Sequence, residues 1–455
     1  METGPKSRLP SLRRADFSRL HLLVVVLAFA TIGAIVGLTR SSASTPSNGL
    51  LGSDPNFFPI TVWLQTPSSH ATAFKNVGVN IFSGFTSSTL TTSNLSAVQS
   101  NGMGALIEDQ STALSSTFTS YQGVMKGWLQ QDEPDNAQPD GNGGYGPCVD
   151  PSTIVNIYNQ FKAADPTRPV ILNLGQGVAN INYTGRGSAC HARTDMYPQY
   201  AQGADILSFD VYPINDGYPI TYIADGVDNL LNWGGGKPVW AFIETTPQDS
   251  GNPKPTPDEI KAEVWLALTH GASGIQYFCH IFTPTFDEKG CLDDAAVSSA
   301  MSGIDSQIAS LAPVLNSPTI TGQASVSSAS RIDYALKRYN GDTYLLTVSP
   351  NSTSASATFS ISGLGNQTVS VIDESRTLTM SGGSFQDGFG AYGVHLYQLA
   401  ATAKTGDLNG DSSVNISDLS ILLSNWNATS GAADINGDGK VDVFDLSILL
   451  SHFGS

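Results

Sequence analysis

The sequence predicts an α/β protein, a (β/α)8 TIM barrel followed by an antiparallel β-sandwich and a small all-α unit. Three observations predict it. Eight short apolar runs alternate with helix-like stretches from Phe57 to about Ser317. The texture then changes to alternating strands punctuated by Asn-Gly and Gly-rich turns. Finally, the last fifty or so residues contain an internal repeat.

The barrel strands are taken in chain order. "FPITVWLQ" is first, from Phe58, and "VNIFSGF" from Val79 is second. "GALIEDQ" from Gly104 is third, and "KGWLQQDEP" from Lys126 is fourth. "PVILNLGQG" from Pro169, "ADILSFDVYPI" from Ala204, "KPVWAFIETT" from Lys237 and "SGIQYFCHIF" from Ser273 complete the eight. These runs are apolar throughout rather than alternating, which suits strands buried on both faces. Among the intervening helices, "PSTIVNIYNQFKAADP" places Ile154, Val155, Ile157, Tyr158 and Phe161 on one face. "PDEIKAEVWLALTHGA" opens with Pro257 and two acids, as a helix N-terminus should.

The expected boundaries are 55–316 for the barrel, 317–400 for the sandwich, 401–405 for a linker and 406–455 for the terminal unit. Residues 1–44 carry a basic lead, an apolar run and then small residues, the pattern of a signal peptide or a membrane anchor. The protein is therefore expected outside the cytoplasm or at the cell surface. There, four cysteines without CxxC spacing read as disulfides rather than as a zinc site. Three pairings exist; a short Cys279–Cys291 loop, leaving Cys148 with Cys190, is favoured. A net charge of -17 argues against nucleic acid as a partner.

In the repeat, "DLNGDSSVNISDLSILLSNW" begins at Asp407 and "DINGDGKVDVFDLSILLSHF" at Asp434. Oxygen donors fall at loop positions 1, 3, 5, 9 and 12: Asp407, Asn409, Asp411, Asn415 and Asp418, then Asp434, Asn436, Asp438, Asp442 and Asp445. Main-chain carbonyls of Ser413 and Lys440 would fill position 7. A hard cation such as Ca2+ needs six or seven such oxygens, and this spacing wraps the chain around one. Two structural Ca2+ sites follow. The arrangement resembles a type I dockerin domain, which implies a cohesin-type protein as partner. A calcium-stabilised tail without a partner is the plainer alternative. Loop positions 10 and 11, where that family sets its choice of cohesin, hold Ile416 and Ser417, then Val443 and Phe444.

Barrel active sites form at the C-terminal ends of the strands. The fourth strand ends in Asp132-Glu133-Pro134, the seventh in Glu244-Thr245-Thr246, and the sixth in Asp210 and Tyr212. Trp63 and Gln65 end the first, and His280 ends the eighth. Two glutamates facing each other across the mouth suit glycoside hydrolysis, with one carboxyl protonating the leaving oxygen and the other attacking the anomeric carbon. This pattern resembles the clan A glycoside hydrolases, which implies Glu133 as acid/base, Glu244 as nucleophile and retention of configuration. It also implies that Tyr212 hydrogen-bonds the nucleophile. Clan A usually has Asn where this chain has Asp132. Asp132, Asp210, Tyr212, Trp63, Gln65 and His280 are candidate substrate contacts, and no cofactor is expected for catalysis.

Trp63, Trp128, Trp240 and Tyr277 are candidate sugar-stacking platforms, with core packing as the competing role. The leading function is thus a secreted glycosidase acting on a polysaccharide or oligosaccharide. An inactive carbohydrate-binding barrel and a calcium-dependent cell-surface structural protein are the alternatives.

Overall fold

The computed structural model describes residues 54–191, 193–400, 404–409 and 413–455. The 1–44 leader lies outside them; among the described residues no helix is long and apolar enough to cross a membrane.

Eight parallel strands close into a barrel in sequence order. They are β1 (Ile60–Trp63), β2 (Ile81–Phe85), β3 (Gly104–Ile107), β4 (Met125–Leu129), β5 (Val170–Leu174), β6 (Ile206–Phe209), β7 (Val239–Glu244) and β8 (Gly274–Phe278). Each lies within one of the apolar runs, and β8 returns to pair with β1. Alternate residues serve two cores. Ile81, Leu106, Leu129, Ile171, Ile206, Trp240 and Phe242 fill the barrel interior. Their neighbours, such as Ala105, Trp128, Leu172, Leu207 and Ala241, face the surrounding helices. The interior is filled tightly, because a Cβ at Gly274 would come within 2.6 Å of the Trp240 Nε1.

Helix Pro257–Thr269 starts as its sequence requires. Thr256 caps it, Glu259 closes a capping box, and Pro257 occupies the first turn. Two disulfides form, Cys148–Cys190 and Cys279–Cys291, with Cα–Cα distances of 5.7 and 5.0 Å. The first joins the loop after β4 to the loop after β5.

Strands β9 (Thr319–Ile320) to β17 (Val394–Leu399) build two antiparallel sheets, in the orders β10-β13-β16 and β15-β14-β17-β12-β11-β9. Leu336, Leu345, Phe359, Phe385 and Tyr397 fill the space between them. On its other face the larger sheet gives Leu346, Val348, Val394 and Leu396 to the barrel's helical core. Polar contacts fix this junction. Lys337 Nζ donates to the carbonyls of Leu315 and Ser317 at the end of helix Ala295–Leu315, where a cation is favoured. His270, closing the Pro257–Thr269 helix, lies 2.9 Å from Asp228 and 3.5 Å from Asp333. The terminal unit has two helices, Ile416–Ser424 and Val443–Ser451, over a core of Val414, Leu422, Ala433, Val441 and Leu449.

Candidate active site

At the end of β4 the chain passes through Asp132 to Glu133, whose φ of 42° is an uncommon conformation for a residue with a side chain. Such strain persists only where surrounding contacts impose it. Here the Glu133 N–H donates to Asn173 O at 3.1 Å, and Gln138 Nε2 donates to Glu133 O at 2.9 Å. The carboxyl accepts from Arg186 Nη2 at 2.9 Å and Asn136 Nδ2 at 3.3 Å. A Cβ at Gly175 would lie 2.8 Å from Glu133 Oε1, so only glycine leaves the carboxyl its place. Burial, then Asp132 and Asp135, push Glu133 up to about 7, against the pull of Arg186 and Asn136.

Around Glu133 the strand ends are wired together. Asn173 Nδ2 donates to Asp132 Oδ1 at 2.9 Å, and Ser208 Oγ donates to Asn173 Oδ1 at 2.8 Å, which links β4, β5 and β6 across the mouth. Burial raises Asp132, opposed by Asn173 and Arg186. Asp135 accepts from Gly175 N at 2.8 Å and Tyr197 OH at 3.1 Å, and burial still lifts it to about 6.

Asp210 ends β6, its N–H donating to Leu174 O at 3.0 Å. Tyr212 OH donates to its Oδ2 at 3.3 Å, while its buried Oδ1 has no partner. Burial, then the charge of Glu133, raises Asp210 well above the usual carboxylate range. The resemblance implied that Tyr212 serves Glu244; the structure instead puts its hydroxyl on Asp210.

Glu244, at the end of β7, is wholly buried. Its Oε1 accepts from Ile214 N at 2.5 Å, and its Oε2 accepts from Asn215 N at 3.0 Å and from Asn215 Nδ2. It thereby caps the short helix Pro213–Asp216. Burial raises it, opposed by those donors and by the neighbouring Glu263.

The remaining nominees divide. Trp63 is 4% exposed and packs edge-on against Phe242 in the barrel interior. Gln65 is buried and donates to the carbonyls of Trp63 and Glu288. His280 Nε2 lies 3.0 Å from Leu64 O, and its ring stacks with Phe282 and Phe286. Trp128, Trp240 and Tyr277 are core residues.

Exposed aromatics at this end include Phe282 and Phe286, 47% and 60% accessible, which strand-end reasoning passes over because they lie beyond β8. It also passes over Glu108, although that residue directly follows β3; burial, then Asp132, raises it to about 7. Arg186 sits in a Gly-rich loop with no local signal.

In the second terminal loop, Asp434 accepts from the N–H groups of Gly437, Asp438 and Gly439, and Asn436 Nδ2 donates to Asp438. Gly439, with φ of 88°, makes the turn at loop position 6. Asp445 accepts from Ile435, Asn436 and Asp442, and Asp418 accepts equivalently from Leu408, Asn409 and Asn415. Asp411 lies outside the described residues. Among the described residues no three His, Cys, Asp or Glu side chains are gathered as around a metal. The donor set is nonetheless all oxygen, drawn from carboxylate, amide and main chain, and fits a hard cation.

Residues 405–453 match the family model of the dockerin type I domain. No curated protein matches the chain. Among solved structures, a GH30 endoxylanase from Clostridium papyrosolvens C71 is similar over 76% of this chain and 96% of its own, at 12% identity and a TM-score of 0.46. An alpha-amylase from Geobacillus thermoleovorans, complexed with acarbose, is similar over 77% and 99%, at 9% identity and a TM-score of 0.47. Likeness at this level says nothing of substrate or of reacting residues.

Proposed function

We propose that the chain is an exported glycoside hydrolase that cleaves O-glycosidic bonds of a polysaccharide, and that its terminal repeat binds two calcium ions and docks on a cohesin-type protein. One observation carries the hydrolase reading. Glu133 is held on strained backbone at the barrel mouth, where burial, then Asp132 and Asp135, raise its carboxyl to about 7, so that a share of it carries a proton near neutral pH. Such a group gives its proton to a leaving sugar oxygen, and a second carboxylate at the mouth attacks the anomeric carbon. The expected outcome is retention. The strand-end reading names Glu244 as the attacking group.

The two cysteine pairs and the basic, then apolar, leader support export. The match at 405–453 supports both the calcium sites and the cohesin-type partner. When bound, calcium would be held by Asp407, Asn409, Asp411, Ser413 O, Asn415 and Asp418, and by Asp434, Asn436, Asp438, Lys440 O, Asp442 and Asp445.

The deciding experiment incubates the full chain with xylan, β-glucan, mannan, galactan and starch and follows reducing ends. Turnover of one of them, lost in Glu133→Gln, is the expected result. Binding without turnover would favour a carbohydrate-binding barrel instead. Loss of the terminal helical signal on adding a chelator tests the calcium sites.

A further inference from the structure

We propose that Phe282 and Phe286, on the loop after β8, are a stacking platform for the part of the glycan that stays bound when the leaving sugar departs; this rests on the hydrolase reading above and adds a subsite to it. The loop is built to be rigid. The Cys279–Cys291 disulfide closes it at its base. Ile281 N–H donates to Asp287 O at 2.8 Å, and Asp287 N–H returns to Ile281 O at 2.9 Å, so the segment carrying both phenylalanines is a closed turn. Its flanks are pinned to neighbouring strand ends. Phe282 N–H donates to Gln248 O, beyond β7, at 2.6 Å, and Gln65 Nε2, beyond β1, donates to Glu288 O at 2.5 Å. A surface fixed in advance loses little freedom when a ligand lands on it.

The rings of His280, Phe282 and Phe286 have centroids 5.7 to 6.3 Å apart and planes that diverge by only 8 to 33°. His280 is buried, and the two phenylalanines are exposed. Near-parallel aromatic faces suit the apolar C–H face of a sugar ring. Other occupants fit less well. The two rings together expose about 200 Å², against the roughly 800 Å² per partner of a stable protein interface. Asp249, which accepts from Thr283 Oγ1 at 2.9 Å, and Asp287, next to Phe286, oppose an anionic lipid surface.

Position ties the platform to the reaction. Phe282 lies 6.1 Å from Phe278, and Phe278 lies 5.1 Å from Tyr212, whose hydroxyl bonds Asp210 at the end of β6. The rings therefore lead outward from the mouth. In a closed barrel of eight, β8 stands four strands from β4, so the platform and Glu133 occupy opposite rims. Glu133 gives its proton to the leaving oxygen, which puts the departing sugar on the β4 rim. The retained sugars run the other way, over Phe282 and Phe286, and longer glycans gain contacts that a single sugar cannot reach.

The test uses the full chain and 4-nitrophenyl glycosides carrying one, two or three sugars of the xylo, cello, manno, galacto and malto series, in which the aryl group takes the leaving position. In Phe282→Ala/Phe286→Ala, kcat/KM on the longest glycoside accepted should fall about tenfold or more, through KM, while a single-sugar glycoside should change less than about twofold. Phe282→Trp/Phe286→Trp, which restores the stacking faces, should return to within about threefold of wild type. An equal loss at every length, no loss at any, or cleavage of single-sugar glycosides alone overturns the platform. Gels containing the five polysaccharides separate the platform from the hydrolase reading. Glu133→Gln should be retarded in one of them, and adding the two alanine substitutions should abolish the retardation. That result with a wild-type chain inert on every substrate keeps the platform and overturns the hydrolase. Retardation that survives the alanines overturns the platform alone, and a wild-type chain both inert and unretarded overturns the two together.

Discussion

Glu133 and Glu244 occupy the same kind of place, the last positions of a barrel strand, yet their surroundings are opposite. Around Glu133 the structure assembles Asp132, Asp135, the tyrosine-bound Asp210 and a single guanidinium, and leaves the side chain 16% exposed. Around Glu244 it assembles backbone N–H groups and seals them from solvent. A strand end makes a carboxylate available for chemistry; what the next loop does with it decides whether it reacts or holds the loop.

Substitutions can break that contrast at several strengths. Glu133→Gln should cost three or more orders of magnitude in kcat while melting close to wild type, because glutamine keeps the side-chain volume and removes a carboxyl whose charge burial already disfavours. Glu244→Leu should differ in also losing stability. Three N–H donors lose their acceptor at about 1–3 kcal/mol each, so the melting temperature should fall by about 10 °C or more. Equal melting temperatures for the two variants would erase the distinction.

Gly175→Ala should act through Glu133 alone. Its methyl group meets the carboxyl oxygen, and about tenfold should be lost in kcat/KM with little change in melting. Arg186→Ala removes the cation that lowers Glu133, so its proton should be held to a higher pH than about 7. The basic limb of the kcat/KM profile should then move upward; a downward move contradicts the ion pair's influence.

The smallest effect should lie far from the mouth. At His270 burial opposes the charge, but Asp228 and Asp333 outweigh it and lift the imidazole to about 9 from 6.5. A raised cation pKa contributes stability that is complete below 6.5 and lost as pH passes through 9. The melting advantage of wild type over His270→Ala should therefore shrink between pH 6 and 10.

Much of this was legible in the sequence because it is local. Apolar runs bounded by turn residues locate all eight strands, and the spacing of the terminal loops depends only on residues a few positions apart. Asp210 was visible as a strand end, but its standing depends on alternation along β6 and on a neighbour two strands away. Glu244 was equally visible as a strand end, but its donors come from the loop after β6, some thirty residues earlier, and no local pattern announces them. Arg186 reaches Glu133 only because the chain after β5 folds back over the loop after β4. Trp63 was ambiguous in principle, since an inward tryptophan fills a barrel as readily as it meets a sugar.

The two consecutive carbonyls of β5 act as a ruler. Glu133 and Asp210 are both gauged from Asn173 O and Leu174 O, inside the sheet, while Cys148 and Cys190 tie together the loops after β4 and β5. Separating the measurement from the covering makes the scaffold modular. Those loops can be lengthened, shortened or exchanged, and the spacing set by the strand stays as it was.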